Sequence, residues 1–97
     1  MPFVEQEPRP FTKEDVSTLE YDLLGVYGIF NDEKWIYVGM GDIKDRLQKH
    51  LNGDKLCIIF ENPKYWVGEI LDDEETAHDR EKELIIELDP ECNDRIG

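Results

Sequence analysis

Residues 25–51 read GVYGIFNDEKWIYVGMGDIKDRLQKHL, and the fold follows from how this stretch divides. Two β-rich runs, 25–30 and 35–39, flank the polar link Asn31-Asp32-Glu33-Lys34 and read as a hairpin. The link has no glycine, which disfavours a two-residue type I′ turn and favours a longer connection. Ile43, Leu47 and Leu51 then recur at helical spacing, so a helix packs on the hairpin, with Asp42 as its N-cap and Asn52-Gly53 as its left-handed stop.

Outward from this centre the signals are weaker. Residues 1–11 hold three prolines among polar residues and read as an extended arm. Thr12 followed by Asp15 resembles a capping box that opens a short helix through about Leu19. The apolar run 56–60 fits strand or helix equally, and Pro63 ends it either way. Residues 65–71 read as a third strand. Four acids, Asp72-Asp73-Glu74-Glu75, favour the positive end of a last helix that runs to about Leu88 and stops before Pro90. The expected architecture is α+β: a three-stranded, mainly antiparallel sheet with helices packed on it.

A chain of 97 residues supports one modest core. We expect an N-terminal arm and short helix over 1–24 and a main unit over 25–97, forming one compact domain. No apolar run reaches the roughly 18 residues of a membrane span, and the N-terminus lacks the features of a secretory signal. A cytoplasmic location is expected, with Cys57 and Cys92 as free thiols, because they show no CxxC or Cys/His spacing.

Twenty-four acids against eleven bases give a formal net charge of -13, the wrong sign for a protein that grips nucleic acid through phosphates. The charge is unevenly spread. Residues 72–91 hold ten acids against Arg80 and Lys82, whereas 42–55 hold four bases against three acids. A local site for phosphate therefore survives.

The last helix gathers Ala77, Leu84, Ile85 and Leu88 into one stripe, with Glu81 at its centre. A carboxylate on a core-facing stripe needs a cation, a metal or the floor of a cleft, since an isolated buried charge is costly. The bland alternative is an ion pair with Arg46 or Arg80. Arg46 lies about 100° from the apolar stripe of its own helix, with His50 between the two. Its planar fork suits phosphate better than lysine's point charge does, though a salt bridge would explain Arg46 equally well. Lys49 shares its side of the helix. His50 on its own reads as a packing or hydrogen-bonding histidine, and Tyr27 and Tyr37 each read as strand residues. The two tyrosines share a sheet face if the connecting loop has an odd number of residues.

Taken in order, Gly25-Val26-Tyr27, Tyr37-Val38-Gly39, Arg46, Glu81, Pro90 and Asn93 resemble the GIY-YIG endonuclease family, which includes the excinuclease C N-terminal domain and phage homing endonucleases. The resemblance spans about residues 25–93. It departs from the excinuclease pattern in a turn one residue shorter before Arg46, and in Met40-Gly41 where basic or small polar residues are common. What it implies is divalent-metal-dependent phosphodiester hydrolysis in DNA. Glu81 would be the only protein ligand to one Mg²⁺ or Mn²⁺, and Arg46 would hold the scissile phosphate. Tyr27 or Tyr37 would orient or deprotonate the attacking water, and Asn93 would position the Glu81 region. His50 would contribute, and Arg46, Lys49 and Gly39 would meet the nucleic acid. The acidic surface implies weak unaided affinity, steep salt dependence and a recruiting protein partner. The competing reading is a non-catalytic acidic module of the same fold that binds a basic protein.

Overall fold

A computed structural model describes residues 3–93; residues 1–2 of the expected arm and 94–97 of the expected main unit lie outside the described residues. The elements run β1 (Arg9–Pro10), α1 (Lys13–Ser17), β2 (Leu24–Phe30), β3 (Trp35–Asp42), α2 (Ile43–Leu51), α3 (Leu56–Phe60), β4 (Tyr65–Ile70) and α4 (Glu74–Leu88). The fold is α+β, but the sheet has four strands, in the order β1-β4-β2-β3, with every pair antiparallel. The additional strand comes from the arm, where Arg9 pairs with Trp66 and Pro10 with Tyr65. Proline is tolerated there because an edge strand need not donate on its outer side.

β2 is the middle of the sheet, buried from Gly25 to Ile29 between β3 and β4. Tyr27 and Ile29 face one way, joining Val16, Ile43, Leu47 and Trp66 beneath α1 and α2. Val26 faces the other way, with Val38, Val67, Ala77 and Leu84 beneath α4. Each buried valine, leucine and isoleucine side chain here contributes roughly 1.5–3 kcal/mol by leaving water. That burial is what orients the two helices that carry charge toward the sheet.

The caps form where the sequence places them. Thr12, Asp42 and Asp73 accept from the backbone N–H of Asp15, Asp45 and Thr76, which opens α1, α2 and α4. Gly53 at φ 85 follows α2, and left-handed Asp89 ends α4 just before Pro90. The undecided run 56–60 is helical. In the glycine-free hairpin link, the Asn31 carboxamide oxygen accepts from Glu33 and Lys34 N–H, at 2.8 and 3.0 Å, and so turns the chain.

That link has four residues between paired Phe30 and Trp35, an even number, which alone would put Tyr27 and Tyr37 on opposite faces. A bulge intervenes. Ile29 pairs with Tyr37 rather than with Ile36, and the extra residue restores Tyr27 and Tyr37 to one face.

The cysteines are not free thiols: Cys57 on α3 and Cys92 beyond α4 form a disulfide, with Cα atoms 5.7 Å apart across 35 residues of sequence. Spacing along the chain gave no hint of it because the fold, not the sequence interval, brings these positions within bonding reach. No described helix is long and apolar enough to cross a membrane.

Candidate active site

Tyr27 stands opposite Gly39 in the β2–β3 pair. A Cβ on Gly39 would lie 2.4 Å from the Tyr27 hydroxyl and 2.6 Å from its Cζ, so the glycine is the gap through which the phenol crosses β3. The Tyr37 ring lies beside it, with centroids 6.3 Å apart. Tyr27 is 1% exposed and His50 2%. The Tyr27 hydroxyl is 2.7 Å from His50 Nε2, and His50 Nδ1 is 2.8 Å from an Asp54 carboxylate oxygen.

Burial pushes the Tyr27 phenol well above its ordinary range. Tyr37, Asp54 and Glu81 add to that rise, and Arg46 opposes it. Burial also lowers the proton affinity of His50 below the usual histidine value, although Asp54 pulls the other way. Both groups are therefore neutral near pH 7.

Arg46 leaves the exposed side of α2 and runs over Gly41. Gly41 has φ 129, and a Cβ there would stand 3.0 Å from Arg46 Nε. The Met40-Gly41 departure thus supplies a flat platform for the guanidinium. Among the described residues no carboxylate comes within ion-pair distance of Arg46, while its charge still acts on Tyr27 and Glu81. Lys49 is partly committed, at 3.2 Å from Asp45. A cation the sequence did not mark, Lys55, sits 5.7 Å above the Tyr37 ring.

Glu81 comes from α4 on the opposite side of the sheet. Its side chain is 21% exposed. Burial raises its carboxyl above the ordinary range, opposed by His78 and Arg46. Its one ion pair among the described residues is His78 Nδ1 at 3.7 Å. Arg80, the other cation considered as its partner, instead grips Glu69 with two nitrogens at 3.0 Å and also bonds Glu83. Glu69 in turn accepts from Val4 N–H, which fastens the arm.

A partly desolvated carboxylate whose one ion-pair partner among the described residues is an imidazole 3.7 Å away is one that a bound cation would stabilise. No cluster of three or more His, Cys, Asp or Glu able to hold a metal occurs among the described residues. An ion here would keep mostly water ligands, as Mg²⁺ commonly does, so the single carboxylate fits it.

Asn93 differs from expectation in what it holds. Its side-chain amide accepts from Val38 N–H at 2.9 Å and donates to Val38 C=O at 2.8 Å, as a neighbouring strand would. Glu91 and Cys92 N–H donate to Trp35 and Ile36 carbonyls, so residues 91–93 run along the open edge of β3. Asn93 thus bonds the strand between Tyr37 and Gly39 rather than the Glu81 region it was expected to position.

Asp54 was missed as a site residue. The signal was its i+4 spacing from His50, hidden because Asn52-Gly53 reads as the end of the helix. A separate cleft of about 190 Å³, lined by Gln6, Arg9, Leu19, Ile43 and Trp66 among others, contains none of the chemistry-bearing groups. The candidate site lies where α2 and α4 both pack against β3.

No protein-family profile matches the chain, and no curated protein matches it in sequence. In structure it is similar to the GIY-YIG N-terminal endonuclease domain of UvrC from Thermotoga maritima bound to magnesium as its catalytic divalent cation. That comparison gives 26% identity and a TM-score of 0.71 over 86% of this chain and all of that one. Two point mutants of that domain bound to their catalytic divalent cation, one tyrosine to phenylalanine and one asparagine to alanine, give 26% and 25% identity. Each has a TM-score of 0.71 over 87% of this chain and 100% of theirs. With its tyrosines on one face, Arg46 over Gly41 and Glu81 turned inward, the chain has the fold of a GIY-YIG endonuclease domain, as its tripeptides led us to expect.

Proposed function

We propose that this protein is an endonuclease that hydrolyses phosphodiester bonds in DNA with one Mg²⁺ or Mn²⁺ held by Glu81. The observation that carries the reading is the half-buried Glu81 carboxylate, which has no close cation among the described residues other than His78 at 3.7 Å and shares its field with Arg46 and Tyr27. Arg46 would clamp the scissile phosphate through its planar fork and stabilise the charge that develops there. The bound ion would supply Lewis-acid stabilisation of the phosphoryl oxygens. Tyr27 and Tyr37 would orient the attacking water, His50 would support Tyr27, and Asn93 would hold their strand in place. The backbone at Gly39 and the Lys49 ammonium would meet the substrate. Residues 25–97 would form the catalytic part, with 1–24 as its brace.

The net charge of -13 makes unaided DNA affinity low and strongly salt-sensitive, so a recruiting partner with a basic surface is part of the proposal. Branched, nicked or single-stranded DNA in a cytoplasmic repair process is the substrate setting it suits. The test is nicking of supercoiled plasmid and of branched oligonucleotides with Mg²⁺ or Mn²⁺ at low salt. Wild type should cut, and Arg46→Ala should lose about 10²–10³-fold while remaining folded. Folded wild type that is inert on every substrate with either ion would overturn the reading.

A further inference from the structure

The buried pair formed by Tyr27 and His50 does not end at the imidazole. Asp54, in the turn that follows α2, closes the chain on the far side, at 2.8 Å from His50 Nδ1. Hydrogen-bond directions follow from what each group can do. An ionised carboxylate only accepts, so Nδ1 carries the proton. A neutral imidazole then has a bare Nε2, and the Tyr27 hydroxyl 2.7 Å away must donate to it. Burial of His50, which disfavours its charged form, keeps this arrangement in place near neutrality.

We propose that Asp54 is a positioning residue that selects the Nδ1–H tautomer of His50 and so commits the Tyr27 proton to His50 Nε2. The hydroxyl oxygen, which lies against Gly39, is then left as an acceptor. The catalytic consequence rests on the nuclease reading; the tautomer itself does not.

In the hydrolytic step, the water oxygen bonds to phosphorus and its proton passes to the Tyr27 oxygen. The Tyr27 proton passes to His50 Nε2, and the resulting imidazolium faces the Asp54 carboxylate. The bond from phosphorus to the leaving oxygen breaks, and that oxygen takes a proton from solvent. His50 afterwards releases its proton to solvent. A phenol held well above its ordinary pKa is a poor base alone, and this relay gives its proton somewhere to go. The charged and titratable groups around the pair are Tyr37 from β3, Arg46 from α2, Asp54 and Lys55 from the turn before α3, and Glu81 from α4.

The test uses the whole chain with ¹⁵N-labelled histidine and long-range ¹H–¹⁵N correlation at neutral pH. Exposed His78 provides the reference pattern. His50 in wild type should show a protonated Nδ1 and a bare Nε2. Asp54→Ala should release that preference, moving the proton to Nε2 or averaging the two forms. Asp54→Asn can either accept from Nδ1 or donate to it, so it too should weaken that preference. In nicking assays Asp54→Ala should lower kcat about 10–100-fold with little change in KM, and Asp54→Asn, which lacks the charge facing the imidazolium, should not restore it. Wild-type His50 protonated on Nε2, or a spectrum unchanged in Asp54→Ala, overturns the proposal. Should Asp54→Ala not fold, the wild-type and Asp54→Asn spectra decide the question. Because the spectra need no substrate, an inactive wild type would sink the nuclease reading without touching this one.

Discussion

Tyr27 reaches its partner only because Gly39 has no side chain: a Cβ at Gly39 would sit 2.4 Å from the phenol oxygen. The second tripeptide's glycine is therefore a packing requirement of the first tripeptide's tyrosine. Gly39→Ala should displace the phenol and break its bond to His50 at a cost of roughly 1–3 kcal/mol, the usual range for overpacking. Urea unfolding measures this, and nicking activity should fall at least tenfold. A variant as stable as wild type would show that the ring has room to spare.

Glu81 is expected to weaken the fold it serves. Burial raises its folded-state pKa above the unfolded value of 4.5, so the native state binds its proton more tightly. Stability from this group is present below 4.5 and is lost as pH rises through the folded pKa. Glu81→Gln should therefore melt higher than wild type at pH 7, with the difference vanishing near pH 4.5. Activity should fall by at least about 10²-fold. A lower melting temperature at pH 7 would instead make Glu81 a structural ion-pair partner.

His50 titrates in the opposite sense. Its folded pKa lies below the unfolded value of 6.5, chiefly through burial, so the unfolded chain takes up the proton first. Its stabilising contribution is intact above about pH 6.5 and declines as pH falls below that value. Compared with His50→Gln, wild type should lose more of its urea midpoint between pH 7.5 and pH 5. Parallel curves for the two proteins would contradict this.

The Cys57–Cys92 disulfide ties α3 to the segment whose Asn93 grips Val38. Closing a loop of 35 residues should contribute about 2–4 kcal/mol. Reduction, or the paired change Cys57→Ser and Cys92→Ser, should lower stability by that amount. Activity should drop with it, as β3 loosens between Tyr37 and Gly39. Thiol alkylation and mass spectrometry of protein from its native cells would show which form operates there, since a reducing compartment opposes the bond. Unchanged stability on reduction would remove the disulfide from the framework.

Much of the fold and of the candidate site was legible because their signals are local. The hairpin announces itself by composition, α2 by the spacing of Ile43, Leu47 and Leu51, and Glu81 by being an acid on an apolar stripe. What escaped is set by pairing across the fold. Arg9–Pro10 joins the sheet with two residues and no pattern of its own. The bulge that aligns Tyr27 with Tyr37 is a property of register, which loop length alone does not determine. Cys57 meets Cys92, and Lys55 meets Tyr37, only once α3 is in place. Asn93 was expected to position the Glu81 region, but its side chain bonds Val38 of β3, a partner 55 residues away that spacing does not reveal.

The central claim is tested most directly by crystals soaked in Mn²⁺, with anomalous scattering used to locate the ion. The nuclease reading predicts one strong peak about 2.1 Å from a Glu81 carboxylate oxygen, otherwise water-ligated and facing Arg46 and the two phenols. An ion bound elsewhere, or an empty Glu81 carboxylate turned into solvent at saturating Mn²⁺, would contradict it.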